Sequence, residues 1–447
     1  MTDDTNGAGP APRKPRIAFL AYSTGEFDSR ARRMATSAIQ AGFDVTVYGR
    51  WEPGLAREES PYGYPIVRVP VDPFMAVPGL RWYGRRRLRA GLARGHRSIP
   101  MPSAERRRGP IGALRRLWSA RRWLSFPASI LGWGAALDEV VEPSDIWHGM
   151  WIAGLPAAVR QKRRLGGAAL YDSRDVYMQG RELARLSPRA RRPLERLEQR
   201  WAHRCDAILT VNDAFADMLR LQLRVKRPVV VYNCPERWQV PDPRPDLIRE
   251  RLGLPPTTRI ALYHGGLMSD RGIRESMEAV LSVADTALVL LGYGPWRDEL
   301  ARDVAQPPYL GRVFLIDAVP SSELLPWVAS ADVAVMPIGD TSPNHRHSTA
   351  NKLFEAIAAG VPVVATDLPG MHDIVRETGC GVLAPDTSPA SIAEGVRAVL
   401  MAPPDERAAM VERCLRAHRD TYNWESQEDR LLTLYRGLLE MGHRAGR

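Results

Sequence analysis

A chain of 447 residues exceeds what one ordinary hydrophobic core organises, so two domains of about 200 residues each are expected. Hydrophobic residues make up 45% and charged residues 25%, the balance of a folded globular protein rather than of a disordered or fibrous one. The net charge of +11 is local: Arg81 to Arg122 hold fourteen arginines against one acid, Glu105. The cysteines, Cys205, Cys234, Cys380 and Cys414, are too scattered for a zinc site, a redox dithiol or a disulfide framework. Residues 1–15 are polar and read as a disordered tail, and no run of about 18 apolar residues suggests a membrane span. The expectation is a cytoplasmic protein.

Residues 16–22 (RIAFLAY), a polar turn, a helix-length stretch and the run DVTVYGR read as strand, helix and strand. PIVRVPV follows, and the arginine-rich segment 81–125 then interrupts the pattern as an insertion or a lid. Strand-like runs IWHG, ALYDS, DAILTV and VVVYN complete a first domain over 16–238. The proline-rich stretch 239–246 reads as the linker. At RIALYH (259–264) the opening pattern restarts, with helix 273–284, TALVLLG, RVFLID, DVAVMPI and VPVVAT giving a second domain over 247–420. Strands alternating with helices predict parallel sheets, hence an α/β fold of two Rossmann-like halves.

The stretch 344–370, NHRHSTANKLFEAIAAGVPVVATDLPG, is the most informative. Ser348 or Thr349 is expected to cap a helix over 350–359, with Gly360 as its stop. Lys352 then falls in the first turn, where the helix dipole disfavours a cation, and His345, Arg346 and His347 crowd the same end. A bound anion resolves the conflict, because helix N-termini already bind phosphate. Lys352 and Glu355 share a helix face, so phosphate on the lysine and a sugar or ribose hydroxyl on the glutamate would use both. An internal Lys–Glu pair is the alternative. The turn HGGLMSDRGI (264–273) supplies glycines that admit a ligand to the backbone, and Arg271 can grip a diphosphate. LGYGPW (291–296) is no dinucleotide fingerprint, because Arg297 stands in place of its third glycine, which disfavours a dehydrogenase.

Together with the closing stretch YNWESQEDRLLTLY (422–435), these motifs resemble glycosyltransferase family 4, retaining enzymes of the GT-B fold. The resemblance implies two Rossmann-like domains facing across a cleft, with donor on the second, acceptor on the first, and residues 421–447 as a helix returning to the first. It assigns Glu355 to the donor ribose and Arg271 and Lys352 to the diphosphate. Gly266, Gly294, Thr349 and Asn351 line the donor, and Thr24 and Gly25 close over it from the first domain. His347 stands where the family's first motif glutamate is expected, and Gly266 replaces a second basic residue. His148 resembles the first histidine of a pair whose second member is here Met150, with an ordinary structural histidine as the alternative. Asp28, Arg30 and Arg174 are expected on the acceptor side, although Asp28 and Arg30 also fit a helix-start ion pair.

The implied function is retaining transfer of a sugar from a UDP- or GDP-type donor to a hydroxyl acceptor, such as a cell-envelope glycolipid, polysaccharide precursor or secondary metabolite. Arg271, Lys352 and His148 are the expected catalytic residues, with no metal and no cofactor beyond the co-substrate. The rivals are an inactive GT-B binding module, a nonhydrolysing nucleotide-sugar epimerase and a nucleic-acid-binding protein. No nucleic acid is expected, because Trp82, Tyr83, Trp118 and Trp123 among the arginines favour an anionic membrane surface or an acidic lipid-linked acceptor for 81–125, with an arginine-rich solvated loop as the alternative.

Overall fold

The computed structural model describes residues 13–25, 28–77, 79–92 and 127–445. The expected tail up to residue 12 and the basic segment from 93 to 125 lie outside them. The first domain is built on β1 (Arg16–Ala21), β2 (Asp44–Arg50), β3 (Glu58–Glu59), β4 (Ile66–Val69), β5 (Ile146–Met150), β6 (Ala168–Ser173), β7 (Ala207–Thr210) and β8 (Val229–Val230). They lie in the order β3-β4-β2-β1-β5-β6-β7-β8, with β3 alone antiparallel. The second is built on β9 (Arg259–Gly266), β10 (Thr286–Tyr293), β11 (Val313–Asp317), β12 (Val333–Met336), β13 (Val363–Thr366) and β14 (Gly381–Ala384), in the order β11-β10-β9-β12-β13-β14.

Both strand orders follow from burial. In β1, Ile17, Phe19 and Ala21 enter one apolar cluster while Ala18 and Leu20 enter another. A strand apolar on both faces needs helices on both sides, which is the condition for a parallel doubly wound sheet. In each sheet the winding reverses beside the first strand, between β1 and β5 and between β9 and β12. Crevices at such reversals, beyond the carboxyl ends of the strands, are where α/β sheets bind ligands.

The chain crosses between the domains twice. Val231 packs in the first domain's core and Cys234 in the second's. Arg244 then bonds the carbonyls of Ala329 (2.7 Å), Ala359 (2.9 Å) and Gly360 (3.1 Å). The proline-rich stretch 239–246 is thus attached to the second domain, and the crossing lies upstream of the expected linker. The return follows helix Pro404–Asp420, after which helix Trp424–Ala445 sinks Trp424, Leu431, Tyr435 and Leu438 into the first core. The crossings run side by side: Trp424 N donates to Pro235 O at 2.8 Å, and Trp238 N to His418 Nε2 at 3.1 Å.

The described start of the basic segment is helix Arg81–Leu92. It is tied to the first domain by Arg85 to Glu139 (2.6 Å) and Arg87 to Asp72 (3.1 Å), which leaves Trp82 62% exposed and Arg86 facing solvent.

Trp424 is 4% exposed and its indole donates to Ser37 Oγ at 2.8 Å. Trp424→Ala should therefore cost about 3–5 kcal/mol of stability, read by denaturant titration. A loss under about 1 kcal/mol would mean that the last helix does not dock on the first domain in solution.

Candidate functional site

The helix expected over 350–359 runs Asn351–Ala358, and its start differs from expectation. Its N-cap is Ala350, with no side-chain cap. Ser348 Oγ donates to His345 O at 3.0 Å, while Thr349 Oγ1 donates to Gly370 O and accepts from Asn212 Nδ2 at 3.0 Å. Neither hydroxyl is left to cap, so the first N–H groups of the helix stay open to a ligand. Arg346 pairs with Asp340, and His347 Nδ1 meets Pro343 O at 2.9 Å, both in the preceding turn Pro343–His347.

Lys352 is 9% exposed and its Nζ has no hydrogen-bond partner among the described residues. It lies 3.6 Å from the centroid of the Tyr263 ring. Burial, with Arg271 adding repulsion, pushes the ammonium down to about 7 against the pull of Glu355. Glu355 does not bond Lys352. It takes a hydrogen bond from His264 Nε2 at 2.9 Å, and His264 is 2% exposed with Nδ1 unpartnered among the described residues. Burial alone would raise the Glu355 carboxyl, but His264, Arg33 and Lys352 outweigh it and hold it low.

The turn after β9 brings Arg271 to this cluster. Gly272, φ +62°, caps helix Ile273–Leu281, and a Cβ there would meet Pro337 O at 2.2 Å. Only glycine fits, which fixes where Arg271 leaves the backbone. Gly265 lies against Lys352, and Gly266 O accepts from Tyr263 Oη at 2.8 Å. Gly294, φ +153°, packs on the backbone of Leu267, where a side chain would clash.

Across the cleft, Thr24 and Gly25 follow β1. Buried Arg68 shapes their loop, donating to Thr24 O at 2.7 Å and Ala56 O at 2.9 Å and pairing with Glu59. Asn212 and Asn344 join the domains beside the cluster. Asn212 Nδ2 donates to His347 O at 2.9 Å as well as to Thr349, while Asn344 accepts from Val176 N at 2.8 Å and donates to Asp175 at 3.0 Å.

Two expected substrate contacts are corrected. His148 is 0% exposed: it stacks on Phe19, its Nδ1 meets Tyr435 Oη at 2.8 Å, and the returning helix shuts it from the cleft. Burial pushes its imidazole down, against the pull of Asp172. Arg30, 2% exposed, makes a forked pair with Asp172 at 2.9 and 3.1 Å and donates to Val231 O at 2.8 Å. Asp28 caps helix Ser29–Gln40 and pairs with Arg174 at 2.8 Å. Arg174 keeps partial access, its guanidinium 5.8 Å from the Trp151 ring. Trp151 is 42% exposed at the end of β5 with φ +64°, a strained conformation for an aromatic residue and one that accumulates at functional sites.

His264, Asn212, Asn344, Arg68 and Trp151 were missed as functional candidates. A polar residue ending the strand-like run RIALYH was the one available signal, for His264. No group of three or more metal-ligating side chains able to hold an ion lies among the described residues.

Asp172 is buried, yet Arg30 and Arg174 hold its carboxyl well below the usual range. Arg30→Ala would strand that charge and should cost about 3–5 kcal/mol in denaturant titration at neutral pH. The unfolded chain takes up the proton near pH 4, so the pair's contribution is full above that pH and fades as pH falls through the folded value. The deficit of the variant should shrink in acid, and an unchanged deficit would assign it to lost packing instead.

Residues 258–402 match the family described as glycosyl transferases group 1. The 2-deoxystreptamine glucosyltransferase of Streptomyces kanamyceticus is 26% identical over 242 residues, 52% of this chain and 60% of that one. The D-inositol 3-phosphate glycosyltransferase 1 of Catenulispora acidiphila is 30% identical over 215 residues, 44% of this chain and 48% of the relative. The chain spans less than two thirds of the length of these curated relatives. In fold it is similar to sucrose-phosphate synthase from Thermosynechococcus elongatus (TM-score 0.70, 18% identity, 96% of this chain and 100% of that one). It is also similar to Anabaena HepE in complex with UDP and glucose (TM-score 0.64, 12% identity, 95% of this chain and 100% of that one). The family match lies in the second domain, where the buried lysine sits, and the likeness to solved structures covers both sheets: the chain has the GT-B fold, and its second domain is similar to glycosyl transferases group 1.

Proposed function

We propose that the chain transfers a sugar, with retention of anomeric configuration, from a nucleoside diphosphate donor of UDP or GDP type to a hydroxyl acceptor. One observation carries this: a buried lysine without a hydrogen-bond partner among the described residues stands at an uncapped helix start beside Arg271. Such a site is incomplete without an anion, and a diphosphate supplies the charge and the acceptor oxygens. Glu355, fixed by His264, then takes a ribose hydroxyl, and Thr24 and Gly25 cover the phosphates from the first domain. The complex of the Anabaena protein with UDP and glucose supports the same donor class.

In the reaction the bond between the anomeric carbon and the β-phosphate oxygen breaks, and the acceptor oxygen bonds that carbon on the same face. The acceptor proton passes to the departing phosphate. Charge builds on the diphosphate, where Lys352, Arg271 and the open N–H groups stabilise it without a metal. With His148 and Arg30 buried, the acceptor side falls to Trp151, Arg174 and Asp28. No helix among the described residues is long and apolar enough to cross a membrane. We further propose peripheral contact with an anionic membrane through the outer face of helix Arg81–Leu92.

Incubation with UDP- and GDP-sugars should release nucleoside diphosphate from one of them, equally in EDTA. Strict dependence on added metal would overturn the charge assignment, and turnover of the donor without release would indicate an epimerase.

Lys352→Ala should weaken nucleotide-sugar binding by about 1–3 kcal/mol. Because the free amine titrates near 7 and phosphate raises that value, wild-type binding above pH 7 should take up a proton, and affinity should fall as pH rises. Calorimetry in buffers of different ionisation heat reads this. Equal heats in wild type would remove Lys352 from the diphosphate.

A further inference from the structure

Helix Trp151–Leu165 leaves the cleft end of β5 and runs back toward the start of β6, so its last turns lie at the opposite end of the first sheet. There, between it, helical residues 127–136 and helix Pro188–Ala202, opens a pocket of about 420 Å³. Ile130, Leu131 and Trp201 line it beside Arg163, Arg164 and Arg204.

Part of this charge is not neutralised. Asp138 is gripped through both oxygens by Arg160 at 2.8 and 2.5 Å and also faces Arg164 at 3.4 Å. Arg163 makes no ion pair among the described residues, and Arg204 reaches only the carbonyl of Arg200 at 3.4 Å. Guanidinium groups beside apolar side chains suit an anion joined to an apolar body, with forked bonds to the phosphate and the hydrocarbon against the apolar residues. The pocket adjoins a patch of the same character: Ala76 lines it and leads into exposed Val77 (42%), Leu80 (40%) and Trp82 (62%), with Leu131 (39%) beside them. Residues 93–125 of this chain are themselves rich in arginine, so charge argues against their filling it.

We propose that this pocket binds the headgroup of an anionic phospholipid, with Arg163 and Arg204 on the phosphate, and so seats the first domain on a membrane with the cleft pointing away. The inference rests on the membrane reading of helix Arg81–Leu92, and the test separates the two. The full-length protein is sedimented with vesicles of phosphatidylcholine alone or mixed with phosphatidylglycerol. Arg163→Ser with Arg204→Ser should weaken binding to the mixed vesicles at least about tenfold, at unchanged melting temperature and nucleotide affinity. Arg302→Ser with Arg376→Ser, an equal charge loss on exposed residues of the second domain, should have much less effect. Equal effects of the two pairs overturn the pocket. Loss of binding in Trp82→Ser with Arg86→Ser alone overturns the pocket and leaves the membrane reading standing. No binding by wild type at low salt overturns both, and displacement by millimolar inorganic phosphate would make the occupant a free anion rather than a lipid.

Discussion

The constraint on which the second domain depends is a lysine amine held out of water with no hydrogen-bond partner among the described residues. An ammonium in that position is costly, and proteins ordinarily avoid it by pairing the group or leaving it exposed. Here the possible remedies are directed elsewhere: Glu355 is turned to His264, and Thr349 is drawn off by Asn212 and Gly370. Gly265 leaves room beside the lysine, while Gly272 and Gly294 let the two neighbouring turns pack on Pro337 and Leu267. Local stability is given up where a ligand would restore it, which is how sites of tight anion recognition are built.

The first domain solves the opposite problem. Two of its buried charges, Arg30 and Asp172, are matched to each other, and Tyr435 closes over His148 beside them. Facing the cleft, that half offers Trp151 and Arg174. A firm wall opposite an electrostatically unfinished one suits a cleft in which most of the binding energy comes from one side.

Much of this was legible in the sequence. Strands covered on both faces appear as unbroken apolar runs, so most of both sheets could be read directly, whereas β3 is two glutamates at an edge and β14 the unremarkable GVLA. Lys352 stood out because a cation in a first helical turn contradicts the dipole. His148 and Arg30 were misplaced because their burial is decided by Tyr435 and Asp172, both far along the chain, and no local pattern announces such partners. The same reason hid Asn212 and Asn344, which matter only once two domains are brought together. The expected linker was displaced because proline marks a break in regular structure, not the point where packing changes sides.

The two passages between the domains lie against each other, joined at Pro235 with Trp424 and at Trp238 with His418. A single strand of chain would leave the halves free to twist and slide, whereas two strands pinned side by side leave mainly rotation about one axis. The last helix is therefore part of the joint's mechanics as well as of the first core. Any hinging of the second domain against the first then turns about that joint.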